Sequence, residues 1–171
     1  MRQVLFGLVL LGLGAAAAAQ APPADAGVDK ATVVANILAL EKEPLRANAG
    51  EMRNALLRWL VDTQDVTVVV CLDAVGNPEN LGKYKRELLL QLTFSQAAFL
   101  IRNPAQKTPT VSAQLAGLEG TLRTYHALLT ADPDARTPVL DDLQGKLDRG
   151  ELEAHVAQAW KVCQARAAQK Q

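Results

Sequence analysis

The sequence predicts an all-α fold: a compact bundle of five to six helices after a cleaved signal peptide, clamped by one disulfide. Three observations carry this expectation. Apolar residues recur at spacings of three and four through most of the chain, which is the helical period. Pro44, Pro78, Pro104, Pro109, Pro133 and Pro138 punctuate that pattern, and proline cannot continue a helix that is already running. Only one β-branched run occurs, Val66-Thr67-Val68-Val69-Val70, and a lone strand has nothing to pair with.

The chain has 171 residues, 18 of them basic and 18 acidic. That suffices for one domain and falls short of two ordinary ones. Balanced charge argues against a strongly basic nucleic-acid binder and against a disordered polyelectrolyte. Aromatic residues make up 4%, so a base-stacking platform is not expected.

Arg2 is the only charge ahead of an apolar run from Val4 to Ala19, which ends in Ala17-Ala18-Ala19 before Gln20. A basic start, an apolar stretch and a small-residue end define a secretory signal peptide, with cleavage expected after Ala19. The run is shorter than the roughly 20 apolar residues that span a bilayer. No later segment is long and apolar enough for stable membrane insertion, and no cysteine stands at the junction to take a lipid. Residues 1–19 are thus the expected signal, 20–28 a flexible tether rich in proline and alanine, and 29–171 a single helical domain. The expected location is the periplasm or the exterior of the cell. Export places Cys71 and Cys163 in an oxidising compartment, where a pair usually bridges. Their disulfide would close a loop worth about 4–5 kcal/mol in the chain-entropy model. The alternative is two buried thiols.

The first helix is expected from about Val28 to Lys42, with Val33, Ile37 and Leu40 on its apolar face and Pro44 as its stop. The second runs from about Gly50 to Thr63, with Met52, Leu56, Trp59, Leu60 and Thr63 at helical spacing. Asp65 to Val75 is ambiguous. Its β-branched run favours a strand, but Asp65 can cap a helix and Gly76-x-Pro78 can end one, so a short buried helix is the preferred expectation. The third helix, about Leu81 to Arg102, is apolar nearly all round in its second half and is expected at the centre. The fourth, about Thr110 to Thr130, has a seam of Val111, Leu115, Leu118, Leu122, Tyr125 and Leu129. Nearly opposite lie Ala113, Gly117, Gly120 and Thr124, all small. Glycine inside a helix costs up to about 1 kcal/mol relative to alanine, so this face is expected to meet a second helix closely, or else a ligand. The fifth helix starts at Thr137-Pro138, a cap followed by a first-turn proline, and runs to about Leu147. The last covers about Glu151 to Ala167, with Leu152, Val156, Ala159 and Cys163 on one face.

Chemistry-bearing motifs are scarce. His126 and His155 stand apart and belong to no zinc-binding spacing. Neither follows Cys-x-x-Cys, so covalent haem is excluded. The stretch from Gly76 to Lys83 fails as a phosphate loop, because five residues separate its glycines and Tyr84 stands where Ser or Thr is needed. Asp132-Pro133-Asp134-Ala135-Arg136 fails as a calcium loop, since Arg136 takes an oxygen-ligand position. Asp141-Asp142 and Glu151-x-Glu153 sit at helix starts, where acids usually complement the dipole. Charge is uneven: Glu79 to Lys107 balances to +3 and Asp132 to Glu153 to −4. Opposite patches of this kind pair across a dimer or steer a partner, if they are not simply solvated helix faces.

Two strings resemble known families. Leu92-Thr93-Phe94-Ser95-Gln96 fits the Leu-Thr-x-x-Gln signature of small all-helical periplasmic chaperones and stress-response repressors of the Spy and CpxP type. Size, export and helicity are similar too. The resemblance implies a chaperone-like role but covers this string alone, and the signature occurs once here where that family carries two. Gly117, Tyr125 and Asp132-Pro133 resemble part of a tetratricopeptide unit, without its first-helix tryptophan or its period.

The functional expectation is a non-catalytic, exported binding or protein-interaction module, monomeric or homodimeric, with a protein partner and without cofactor, metal or nucleic acid. Its expected mark is an exposed apolar groove near the tether and first helix. The alternative is a periplasmic chaperone-like or stress-response protein. An enzyme, which would need His126 or His155 to meet carboxylates in a cleft, ranks third.

Overall fold

Asp29 begins the first helix, α1 (Lys30–Lys42). Its carboxylate accepts from the amides of Ala31 and Thr32 at 3.3 and 3.2 Å, serving donors that have no partner within the first turn. The computed structural model describes residues 29–106 and 109–169. The expected signal peptide and tether lie outside them. Five further α-helices follow: α2 (Ala49–Asp62), α3 (Lys85–Arg102), α4 (Val111–Ala131), α5 (Pro138–Asp148) and α6 (Leu152–Ala168). Short 3-10 turns cover Leu72–Ala74, Pro78–Tyr84 and Pro133–Ala135, and no strand occurs among the described residues. The chain is all-α.

The caps explain the boundaries. Thr110 Oγ1 accepts from the Ala113 amide at 3.1 Å and starts α4. Thr137 accepts from the Leu140 amide at 3.4 Å, with Pro138 in the first turn of α5. α3 is central, packing on α1, α2 and α4. One apolar cluster joins Leu88 and Leu92 of α3 to Leu118, Leu122, Tyr125 and Leu128 of α4, then to Leu140, Leu143, Leu152 and Val156 of α5 and α6. A second joins Val33, Ile37 and Leu40 of α1 to Leu56 of α2 and to Phe94 and Ala98 of α3.

Three expectations need correction. Asp65 to Val75 does not form a short buried helix. The chain from Val66 to Cys71 is neither helix, strand nor turn, and only Leu72–Ala74 makes a 3-10 turn. Its β-branched side chains disfavour helix, and a side-chain amide from α4, described below, bonds its backbone in place of a second strand. α3 begins at Lys85 rather than near Leu81, because Gly82 stands at φ 71°, ψ −157°, outside helical geometry. Thr137 Cγ2 would lie 3.0 Å from a Cβ there. Finally, α3 is buried nearly all round but is not apolar all round, since Gln91, Ser95 and Gln96 are buried with its leucines.

The seam of α4 lies on the larger cluster as its spacing requires, with Leu118, Leu122 and Tyr125 buried and Val111, Leu115 and Leu129 half-buried. Cys71 and Cys163 stand at disulfide-bonding geometry, with Cα atoms 5.9 Å apart. They tie the segment after α2 to the last helix.

Candidate binding surface

The small-residue face of α4 is a helix contact. A Cβ on Gly117 would lie 2.7 Å from the Leu92 carbonyl oxygen of α3, and one on Gly120 would lie 2.6 Å from Glu41 Oε1. Ala113 packs on Val66, Ala97 and Leu100, and Thr124 donates back to the Gly120 carbonyl at 3.0 Å. Space that a ligand would need is filled by protein.

What fills it is polar. Ser95 donates to the buried carboxylate of Glu41 at 2.7 Å, and Gln91 donates to Ser95 at 3.0 Å. Arg123 of α4 closes on the same carboxylate through Nε at 2.8 Å and a terminal nitrogen at 3.2 Å. One turn along, the amides of Gln96 and Gln114 pair reciprocally at 3.3 and 3.2 Å. Among the described residues, no buried side-chain nitrogen or oxygen lacks a partner. A fully satisfied network of this kind fixes helix register. Gln96 and Leu92 of the Leu-Thr-x-x-Gln string are buried here, and Thr93 donates to the Leu89 carbonyl at 3.0 Å. The string packs helices rather than facing solvent.

The network was not anticipated from the sequence. Its signal was present, since Gln91 and Ser95 stand four apart and Gln96 follows directly, polar groups on a helix whose neighbour offers glycines.

Other titratable groups are held in local ties. Asp132 takes Lys83 as an ion pair and accepts from the Tyr84 hydroxyl at 2.7 Å. Both hold its carboxyl below the usual range, and Lys83 is raised in turn. This contact joins the positive segment to the negative one within the chain. Elsewhere the acids of the negative segment pair locally, Asp141 with Arg136, Asp142 with Lys146 and Glu151 with Arg149. The Tyr125 hydroxyl accepts from the Thr137 amide at 3.0 Å and donates to Asp141 at 2.8 Å. Burial pushes this hydroxyl up, and the Asp141 acceptor adds to the effect. His126 bonds Gln144 at 2.8 Å on the surface, and His155 bonds the Ala74 carbonyl at 2.9 Å. Among the described residues, neither histidine forms an ion pair with a carboxylate. Cys71, Asp73 and Cys163 bring three ligand-type atoms within 4.8 Å of one another. Sulfurs joined to each other are not the thiolates a metal needs, and Arg166 already takes Asp73 at 2.9 and 3.1 Å.

Among the described residues, an open apolar surface runs along α1. Ala31, Ala35 and Leu38 recur at i, i+4 and i+7, one stripe of the helix. With Val34 and, from the end of α3, Ile101 and Arg102, they line a shallow trough of about 490 Å³. Ala35 and Leu38 continue into a second hollow of about 270 Å³ that reaches Lys42, Glu43 and Arg46. The floor is apolar, and Lys30, Lys42, Arg46 and Arg102 rim it against the single acid Glu43. Lys30 is spent on Asp65 at 2.9 Å. Among the described residues, Lys42 and Arg102 form no ion pair. No family model, curated protein or solved structure matches the chain.

Proposed function

We propose that the protein is an exported, non-catalytic interaction module that binds an amphipathic, acidic segment of a partner protein along α1. One observation carries the reading: a stripe at helical spacing, with Ala31 and Ala35 exposed and Leu38 half-buried, borders an open trough beside Lys42 and Arg102, which form no ion pair among the described residues. An amphipathic helix lays its apolar face into such a groove, and acids on that helix would meet Lys42 and Arg102. α1 has 13 residues, so the trough offers roughly 20 Å of length at 1.5 Å per residue. The ties at His126, His155 and Asp132 support a reading without catalysis, since each of these groups is engaged by a structural neighbour.

The open length of the trough also suits the chaperone-like alternative, in which it cradles apolar segments of many clients. Placing a photoreactive amino acid at Ala35 in the exported full chain separates these. A single stoichiometric adduct, lost with Leu38→Glu, supports the dedicated partner. A ladder of adducts together with suppressed client aggregation supports the chaperone. No adduct above that of the same probe placed at Glu153 refutes both.

A further inference from the structure

We infer that the Val66–Val70 segment is a strand edge that pairs antiparallel with the same segment of a second copy of this chain. The segment carries no charge between Asp65 and Asp73, and its five residues are all β-branched. One edge is already occupied. Gln114 Nε2 donates to the Val69 carbonyl at 2.6 Å, and the Cys71 amide donates to Gln114 Oε1 at 3.4 Å. A side-chain amide thus bonds residues i and i+2 as the peptide group of a neighbouring strand would. In extended backbone, the groups of the alternate residues then point to the opposite edge, which here belongs to Val68 and Val70. Among the described residues, nothing bonds the amide or carbonyl of either. Around this edge Val69, Val70 and Leu72 are exposed, with Val162 of α6.

An unpaired edge of this kind is a template for another extended chain, and a second copy supplies a matching one. An antiparallel register centred on Val69 sets Val68 against Val70 of the other copy, and the reverse, which closes four main-chain hydrogen bonds. The same register sets Asp65 against Asp73. Asp65 carries Lys30 at 2.9 Å, and Asp73 carries Arg166 at 2.9 Å. Each end therefore brings one cation and one anion, and Lys30 can meet the second copy's Asp73 while Arg166 meets its Asp65. The charges are complementary at both ends, and the neutral valines lie between. The inference does not rest on the trough reading, since it is argued from the backbone of Val66–Val70 and not from the stripe of α1.

Sedimentation velocity of the oxidised full chain over a micromolar-to-millimolar series tests it, together with amide hydrogen exchange across the same series. The expected result is a reversible dimer in which the Val68 and Val70 amides gain protection with concentration. Val69→Lys places two like charges across the twofold axis and should weaken the dimer at least tenfold with an unchanged melting temperature for the monomer, because Val69 is 42% exposed. A monomer throughout overturns the inference. So does a dimer in which Val68 and Val70 exchange independently of concentration, since its interface lies elsewhere. A monomer with those amides already protected also overturns it, because the edge is then covered by the chain's own residues.

Discussion

Gly120→Ala should destabilise the protein, although the same substitution usually helps a helix. Inside a helix alanine gains up to about 1 kcal/mol over glycine. Here the new methyl would lie 2.5 Å from Ser95 Cβ and 2.6 Å from Glu41 Oε1. Ser95 Cβ is fixed to the α3 backbone and cannot swing away, so α3 and α4 must part by most of an ångström. Overpacking of that kind costs about 1–3 kcal/mol. Displacing the Ser95 hydroxyl also breaks a bond to a carboxylate, worth about 1.5–3 kcal/mol. The propensity gain offsets the smaller part, leaving a net loss of about 1.5–5 kcal/mol. Denaturant unfolding of the oxidised protein measures it, with Gly145→Ala as the control. On α5 the nearest atom is the mobile end of Arg149, 3.1 Å away, so that variant should gain up to about 1 kcal/mol. Ser95→Gly added to Gly120→Ala returns the space and should recover part of the loss, giving a coupling of about 1–3 kcal/mol. If both alanine variants stabilise equally, or if the Ser95 and Gly120 changes are simply additive, the close approach of α3 and α4 is wrong.

Three further perturbations test other ties. Cys163→Ser opens a bridge spanning a sequence separation of 92, and should lower stability by about 4–5 kcal/mol under oxidising conditions. With reductant present, variant and parent should melt together, and equal losses in both conditions refute the bridge. Tyr125→Phe strands the buried Thr137 amide and should cost about 1–3 kcal/mol, read by the same denaturant titration; an unchanged midpoint means that the amide finds another acceptor. Asp132→Asn addresses acid stability. Lys83 and Tyr84 hold the folded-state pKa of Asp132 below its ordinary 3.8, so its contribution is complete above that value and is lost as pH falls through and below it. The variant should melt below the parent at neutral pH and converge with it in acid; parallel acid limbs refute the tie.

The sequence disclosed the helices and hid what joins two of them. Apolar residues at helical spacing or in a nearly unbroken run locate α1 to α4 and α6, because burial of an apolar face is a local requirement, legible within one element. The cap at Thr137 marks the start of α5 for the same reason, as it involves residues only three apart. The start of α3 falls later than its apolar pattern suggests because nothing local distinguishes Gly82 from a glycine inside a helix, whereas it stands at φ 71° beside Thr137, 55 positions away along the chain. The β-branched run was misread for a related reason. Strand and helix were the only alternatives weighed, since backbone groups normally find backbone partners. Gln114 lies 43 residues beyond Cys71, and nothing local marks it as a surrogate peptide. The polar network behind Gly117 and Gly120 sits between these cases. Two glycines on one helix announced a close neighbour, but glycine records only that something approaches. That the neighbour brings Ser95 and Glu41 rather than alanines depends on the register between α1, α3 and α4. The trough was legible for the opposite reason. α1 must bury Val33, Ile37 and Leu40 inward, which leaves Ala31 and Ala35 exposed on another stripe with Leu38 half-buried at its end, and an alanine-lined stripe beside lysines and arginines has no local reason to be covered by its own chain.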